Sequence, residues 1–221
     1  RYRVERGQAV HAPAINGVVC KFRSAYPVDL YPLSLKDARL ELTSGSPYLR
    51  QLAPDAAALL TLECHTHGGL ALNHIGLTSL RFFLDGEPAL MHLLYELLLS
   101  QVLRIRVGDG SDDPARTFTL PAKAIRPVGF GRDEGMLEYD ERSFMGYRLL
   151  TEYFCYPEKF LFVDIAELDK AAARLNGDKL VLQLVLGDYP DSERHHRLLT
   201  QLQPQHLKLG CTPVVNLFNC R

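Results

Sequence analysis

Three histidines in this sequence are candidate ligands for a metal ion. His65 and His67 lie one residue apart in the segment ECHTH, and His74 follows seven residues after His67. On a β-strand, side chains two residues apart lie on the same face, and paired imidazoles are good ligands for zinc or iron. The alternative is a pair of solvated histidines at the end of a strand, because two glycines follow His67.

A second candidate site is the segment RSFMGYRLLTEYFCYPEKFLFVDI, which runs from Arg142 to Ile165. It holds seven of the twenty aromatic residues, between Phe144 and Phe162, and two acids lie among these rings, Glu152 and Glu158. Two carboxylates could act as a general acid and base, and aromatic rings could stack on nucleic-acid bases or sugars. The six-residue spacing of the acids crosses a predicted helix end and a proline, so it does not indicate a catalytic pair.

The same segment also has the pattern of a structural element. One helix face is formed by residues spaced three, three and four apart: Phe144, Tyr147, Leu150 and Phe154. This spacing predicts that the face packs in a hydrophobic core. Pro157 disfavours helix at the residue before it, so the chain should leave the helix there and enter the strand KFLFVDI. Four consecutive apolar residues, 160–163, predict that both faces of this strand are covered.

The composition argues against several function classes. The 221 residues are 47% apolar and 23% charged with a net charge of −1, which is typical of a globular protein and indicates no nucleic-acid or anionic-membrane partner. No apolar run approaches the roughly 18 residues of a membrane span. The nucleophile, dinucleotide and phosphate-loop motifs are absent, so no catalytic residue is predicted. The cysteines are scattered and predict reduced thiols in a cytosolic protein: Cys20, Cys64, Cys155, Cys211 and Cys220.

Hydrophobic periodicity predicts strands interspersed with a few helices. A largely buried helix is predicted near 88–101, with Pro88 at its first position. Further helices are predicted near 141–155, with Asp140 as a candidate N-cap, and near 190–202. The segments ALLTLECHTH, LTSLRFFL, VLRIRV, KLVLQLVL and QHLKLGC are predicted strands.

The order of elements suggests an internal duplication. LTSLRFFL, DGEP, a helix and VLRIRV are matched by KLVLQLVL, GDYP, a helix and QHLKLGC. Between these units, the connector TFTLPAKAIRPVGFGRDEG is rich in proline and glycine and predicts a domain boundary. The expected fold is therefore α+β and β-rich. It has an arm or incomplete strand at 1–17 and two sandwich-like lobes at 18–127 and 128–221, each with a packed helix.

Four stretches of the sequence carry a family resemblance. In order they are CKFRSAYPVDLYPL, LRFFLDG followed by LYELLLSQ, AIRPVGFGRDEGMLEYDERSFMGYRLLTEYFCYPEKFLFVDI, and LGCTPVVNLF. Together they resemble the TssF baseplate subunit (the VasA/ImpG family) of bacterial type VI secretion systems. Residues 125–165 carry the longest and most specific motif, whose signature residues are Phe144, Tyr147, Phe154, Pro157, Phe160 and Phe162. Tyr31 and Cys155 depart mildly from the family pattern. Members are longer, so this chain is expected to be the middle of a larger protein.

The resemblance implies a structural role without catalysis, cofactor or metal. Family members are similar in role to wedge proteins of contractile phage tails, on whose platform sheath and tube assemble. The implied partners are TssG, TssK, TssE and a second TssF copy, with the spike protein at the hub. No nucleic acid, small-molecule substrate or membrane insertion is implied. The implied location is cytoplasmic, in a baseplate docked at the inner-membrane complex of a Gram-negative bacterium.

Overall fold

A computed structural model describes residues 1–14, 17, 19–111, 113–137, 139 and 142–216. The strands are β1 (Tyr2–Val4), β2 (Ala9–His11), β3 (Lys21–Ser24), β4 (Val28–Leu30), β5 (Leu33–Leu42), β6 (Ala58–Thr66), β7 (Leu80–Leu84), β8 (Val102–Gly108), β9 (Phe118–Pro121), β10 (Ile125–Pro127), β11 (Phe162–Ile165), β12 (Lys179–Leu186), β13 (Leu207–Leu209) and β14 (Val214–Val215). The helices are α1 (Pro47–Leu52), α2 (Pro88–Ser100), α3 (Met145–Cys155), α4 (Asp169–Ala172) and α5 (Glu193–Gln201).

Most strands belong to two antiparallel sheets. The larger sheet has the order β5-β6-β12-β8-β9, and the second has the order β10-β11-β7-β13. Two small sheets, β14-β3-β2 and β1-β4, contain the first strands of the chain. The architecture is therefore rich in β-strands, as the sequence predicted.

The two larger sheets share one hydrophobic core. Leu62 and Leu184 of the five-stranded sheet line the same small apolar cavity as Phe82 and Val163 of the four-stranded sheet. Each side chain lies on the inner face of its sheet, so the sheets pack face to face as in a sandwich. Helix α2 buries six residues in the same core, which confirms its prediction as a buried helix: Leu90, Met91, Leu93, Leu94, Leu97 and Leu98.

The central strand β12 is covered on both faces. Leu182 and Leu184 face the shared core, whereas Val185 packs with Leu49 and Ala53 in and just after α1. Because both faces are apolar, the strand is a continuous hydrophobic run rather than an alternating pattern. The same property made KLVLQLVL recognisable as a strand in the sequence.

The sheets do not follow the predicted division at residues 127 and 128. β12 comes from the later part of the chain and lies between β6 and β8 of the earlier part. In turn β7, from the earlier part, lies between β11 and β13. Sequence periodicity identifies a strand but not its non-consecutive neighbours, so this interleaving was not predicted.

The predicted connector contains two strands that sequence analysis missed. β9 forms one edge of the five-stranded sheet, and β10 forms one edge of the four-stranded sheet. Proline is tolerated at the edges of sheets, which explains why Pro121 and Pro127 do not prevent pairing. The segment therefore connects the two sheets of the sandwich.

The longest strand, β5, was also missed. Its ten residues pair with β6, but the register shifts between Leu35 and Asp37. Such an irregularity interrupts the two-residue alternation on which strand prediction depends. Between residues 18 and 30 the structure has two short strands, β3 at Lys21–Ser24 and β4 at Val28–Leu30. Val18 lies outside the described residues.

The two units proposed as duplicates have related connections. In each, the helix joins a strand of one large sheet to a strand of the other: β7-α2-β8 and β12-α5-β13. The strands pair crosswise, β7 with β13 and β8 with β12, and α2 packs against α5. The internal duplication itself stays a prediction.

Candidate functional site

The structure does not assemble the three candidate metal ligands. Strand β6 ends at Thr66, and His67 begins a 3₁₀ turn, so the alternation that would align it with His65 stops between them. His65 instead places Nε2 2.7 Å from Glu63 Oε1, and Lys179 binds the other carboxylate oxygen of Glu63 at 2.8 Å. In the part of the chain that the structure describes, no three potential ligands are grouped to hold a metal ion.

The two acids of the aromatic segment do not form a catalytic pair. Glu152 is buried, with 2% of its surface exposed, whereas Glu158 is exposed to solvent. The cysteine beside the histidines, Cys64, is buried in the sandwich core, and burial raises the pKa of its thiol to about 12. Neither arrangement supplies a reactive group to an open site.

Helix α3 has an unusual orientation that reverses the sequence-based expectation. The four residues predicted to pack in the core are exposed, with fractions from 57% to 81%: Phe144, Tyr147, Leu150 and Phe154. The buried residues of the helix are Arg148 and Glu152. The core prediction for this face is therefore wrong, because charged groups occupy the protein-facing side of the helix.

A cluster of three buried charges explains the orientation. Glu152 forms a hydrogen-bonded ion pair with Lys159, and its Oε2 lies 3.7 Å from Arg148 Nε. Burial lowers the pKa of Lys159, while the hydrogen bond and the charge of Glu152 oppose that shift. An isolated buried charge is very costly, so Arg148 and Lys159 remain inside the protein only beside Glu152.

The loop before α3 supplies hydrogen-bond partners to all three side chains of this charge cluster, although Arg148 Nε itself has none among the described residues. Arg148 donates to the carbonyls of Arg132 and Gly131 at 2.8 and 2.7 Å. Lys159 donates to the carbonyl of Glu134 at 3.0 Å. Glu152 Oε1 accepts from the backbone amides of residues 136 and 137 at 2.6 and 3.2 Å. Hydrogen bonds between the backbone of the loop and the three charged side chains thus fix the loop to the helix.

Tyr26 connects the charge cluster to the sheets. It is fully buried, and its hydroxyl donates to the carbonyl of Lys159 at 3.2 Å. Its ring meets Phe162 edge-on with centroids 5.7 Å apart, and Phe162 stacks on Phe83 of β7. Gly129 has a φ of +104°, and a Cβ there would approach the Tyr26 hydroxyl to 2.9 Å, so this close contact requires glycine.

The turn after α3 matches the sequence prediction more closely. The helix ends at Cys155, Pro157 begins a short 3₁₀ helix, and β11 follows at Phe162. Residues 160–163 are all buried, which confirms that this stretch is covered. The helix begins at Met145 with Phe144 as its N-cap, and the predicted N-cap, Asp140, lies outside the described residues.

The large exposed side chains of α3 and of its N-cap residue are all uncharged, and we call this group the aromatic face. It consists of Phe144, Met145, Tyr147, Leu150, Tyr153 and Phe154. Ring centroids lie 5.9 Å apart for Phe144 and Tyr147, and 5.6 Å apart for Tyr153 and Phe154. The buried ring of Phe160 contacts both Tyr153 and Phe130, and Phe130 is 44% exposed.

The sequence held one signal for this arrangement. Arg148 and Glu152 are four residues apart, so they share a helix face opposite to the aromatic residues. Lys159 could be assigned to them only if the turn at Pro157 brought it back towards the helix. A charged pair within an otherwise apolar segment was therefore the available indication that the helix could be inverted.

Comparisons with known proteins all point to one group. A family model described as "Type VI secretion system, TssF" matches residues 1–221. The chain is 32% identical over 224 residues to the "Type VI secretion system component TssF1" of Pseudomonas aeruginosa strain PAO1, covering 98% of this chain and 35% of that protein. The chain therefore spans about a third of the length of this curated relative.

A solved structure has the same fold. It is a chain in a cryo-electron microscopy structure of the "type VI secretion system TssK-TssF-TssG baseplate subcomplex". The TM-score is 0.76 at 21% sequence identity, with 98% of this chain and 38% of that chain covered. Among the described residues, no helix is both long enough and apolar enough to cross a membrane.

Two phenylalanines, one exposed and one buried, test the orientation of α3. We expect Phe154→Ala to change the free energy of unfolding by about 0.5 kcal/mol or less, because its side chain is 81% exposed. Phe160→Ala should destabilise by about 3–5 kcal/mol, because this ring is buried. Urea denaturation of both variants provides the comparison. Equal losses would contradict the observed orientation of the helix.

The charge cluster predicts an order of stability losses. Glu152→Gln should cost about 3–5 kcal/mol, because two buried cations then lack a counter-charge. Lys159→Met should cost less, since Arg148 and Glu152 remain as a balanced pair. Guanidinium denaturation under matched conditions measures both changes, and a larger loss for Lys159→Met would show that charge balance does not dominate.

Tyr26 predicts a stability change at alkaline pH. Burial raises the pKa of its phenol above the ordinary value of 10.0, so the folded state keeps a proton that the unfolded state releases. The contribution is full below pH 10 and declines as pH rises further. Relative to Tyr26→Phe, the unmodified protein should be more stable by about 1 kcal/mol at neutral pH. If the difference in stability between the two proteins stays constant up to about pH 11, the raised pKa of Tyr26 is contradicted.

Proposed function

We propose, since the chain belongs to the TssF family of the type VI secretion system, that it is a structural, non-catalytic part of a baseplate wedge. The resemblance identified in the sequence is confirmed by the family model over residues 1–221 and by the 32% identity to the Pseudomonas aeruginosa TssF1. In this proposal the chain supports the platform on which the contractile sheath and tube assemble.

The observation that carries the proposal is the aromatic face of α3. Solvent-facing helix surfaces of monomeric proteins are ordinarily polar, and large contiguous apolar patches mark sites of interaction. Exposed aromatic residues with few charges are typical of the centre of a protein interface. A surface of this composition suits an assembly protein better than an enzyme.

The proposed partners follow from the solved relative. That chain is part of a subcomplex with TssK and TssG, and we propose related proteins as the partners of this chain. TssE, a second copy of the same subunit and the spike protein at the hub complete the proposed environment. We place the assembly in the cytoplasm, at the inner-membrane complex of a Gram-negative bacterium.

The groups that first suggested catalysis have structural contacts of their own. Glu152 is bound to Lys159 and to two backbone amides, and His65 is bound to Glu63. These contacts support a non-catalytic role.

The proposal is tested by reconstitution of a complex. We expect the full-length protein that contains this chain to co-purify stoichiometrically with co-expressed TssK- and TssG-family subunits from the same organism. Size-exclusion chromatography with light scattering measures the mass of the assembly, and each subunit expressed alone is the control. If no combination of the subunits yields a complex, the proposed function is wrong.

A further inference from the structure

We propose that the aromatic face of α3 is the docking site for another baseplate subunit, which binds there with an uncharged apolar helix face about three turns long. This inference rests on the proposed function, because it names the surface and the kind of partner through which the chain assembles. The partner segment is defined by its chemistry: aliphatic or aromatic side chains at helical spacing, with charged residues only at its margins.

The first argument is the reversed polarity of α3. Both of its charged residues, Arg148 and Glu152, point into the protein. Its exposed positions carry only uncharged groups, including Thr151 and Cys155 beside the aromatic face. An ordinary surface helix has the opposite arrangement. The energetic cost of exposing these rings is recovered when a second apolar surface covers them.

The second argument is charge complementarity. A charged partner residue placed on this face would lose its water without gaining an ion pair, which is strongly unfavourable. The partner surface must therefore also be uncharged. Nucleic acids and anionic lipids are attracted by lysine and arginine, and the exposed positions of α3 carry neither residue. These charges favour a protein partner over both alternatives.

The third argument is shape. The eleven residues of α3 span about 16 Å, or three turns. Side chains three and four residues apart form ridges between which the ridges of another helix fit, and short apolar helices bind proteins in this way. The hydroxyls of Tyr147 and Tyr153 supply polar groups on an otherwise apolar surface, as is common for tyrosine at interfaces.

The fourth argument is rigidity. The charge cluster fixes α3 to the loop of residues 131–137, and Tyr26 fixes the cluster to the sheets. A surface held in this way loses little conformational entropy when it binds, and such preorganisation increases affinity. The buried charges thus hold the aromatic face in position before a partner arrives.

The main test is a pair of matched substitutions. Leu150 lies on the aromatic face and is 57% exposed, while Leu70 lies outside it and is 47% exposed. In the full-length protein, we expect Leu150→Lys to weaken binding to co-expressed TssK- and TssG-family subunits by about tenfold or more, and Leu70→Lys by less than about twofold. Unchanged binding of a folded Leu150→Lys variant would overturn the inference. If that variant does not fold, Leu150→Gln replaces it.

Side-chain footprinting provides an independent test. Hydroxyl radicals should label Tyr147, Tyr153 and Phe154 in the full-length protein alone, and labelling should fall at least fivefold in the complex. Equal labelling in both samples would overturn the inference. If these residues are already protected in the full-length protein alone, the inference is overturned too. Light scattering then shows whether a second copy or another part of the same polypeptide covers the face.

Vesicle binding tests a lipid membrane as the alternative occupant of the aromatic face. Sedimentation with vesicles of phosphatidylcholine and phosphatidylglycerol should not retain the protein. Retention that is lost in Leu150→Lys would overturn the inference in favour of a lipid surface. The proposed function fails separately: it is wrong if the unmodified subunits form no complex, whereas a complex that tolerates Leu150→Lys removes only the assigned surface.

Discussion

The candidate site depends on the ion pairs that the buried carboxylate of Glu152 forms. This carboxylate compensates the charges of Lys159 and Arg148 and accepts two backbone amides from the preceding loop. Since the two cations are stable inside the protein only beside this carboxylate, the cluster determines which side of α3 faces the sheets. The rings of the helix must then face outwards. One electrostatic constraint thus produces an apolar surface.

The sandwich supplies the support for this constraint. Phe162 lies between Tyr26 and Phe83, and so it joins the charge cluster to the four-stranded sheet. That sheet shares its core with the five-stranded sheet, in which β12 is paired on both sides. The aromatic face therefore rests on a body in which the strands of the two halves of the chain are interleaved.

Sequence analysis predicted the elements better than their relations. The apolar runs of α2 and β12 were recognised because both are buried on most sides. Strand β5 was missed because its register shift interrupts the alternation. For α3 the spacing identified the helix but not its inward face, because periodicity alone does not distinguish rings that face the core from rings that face a partner. That choice depended on Lys159, which a proline turn brings back to the helix.

The position of β12 also has a consequence for biosynthesis. Strands β6 and β8 leave the ribosome long before residues 179–186, so they have no central neighbour until most of this chain has been translated. Pairing of strands distant in sequence is slow, and unpaired apolar edges in nascent chains aggregate readily. Such a chain benefits from a chaperone that holds β6 and β8 apart from other nascent proteins until the last central strand arrives.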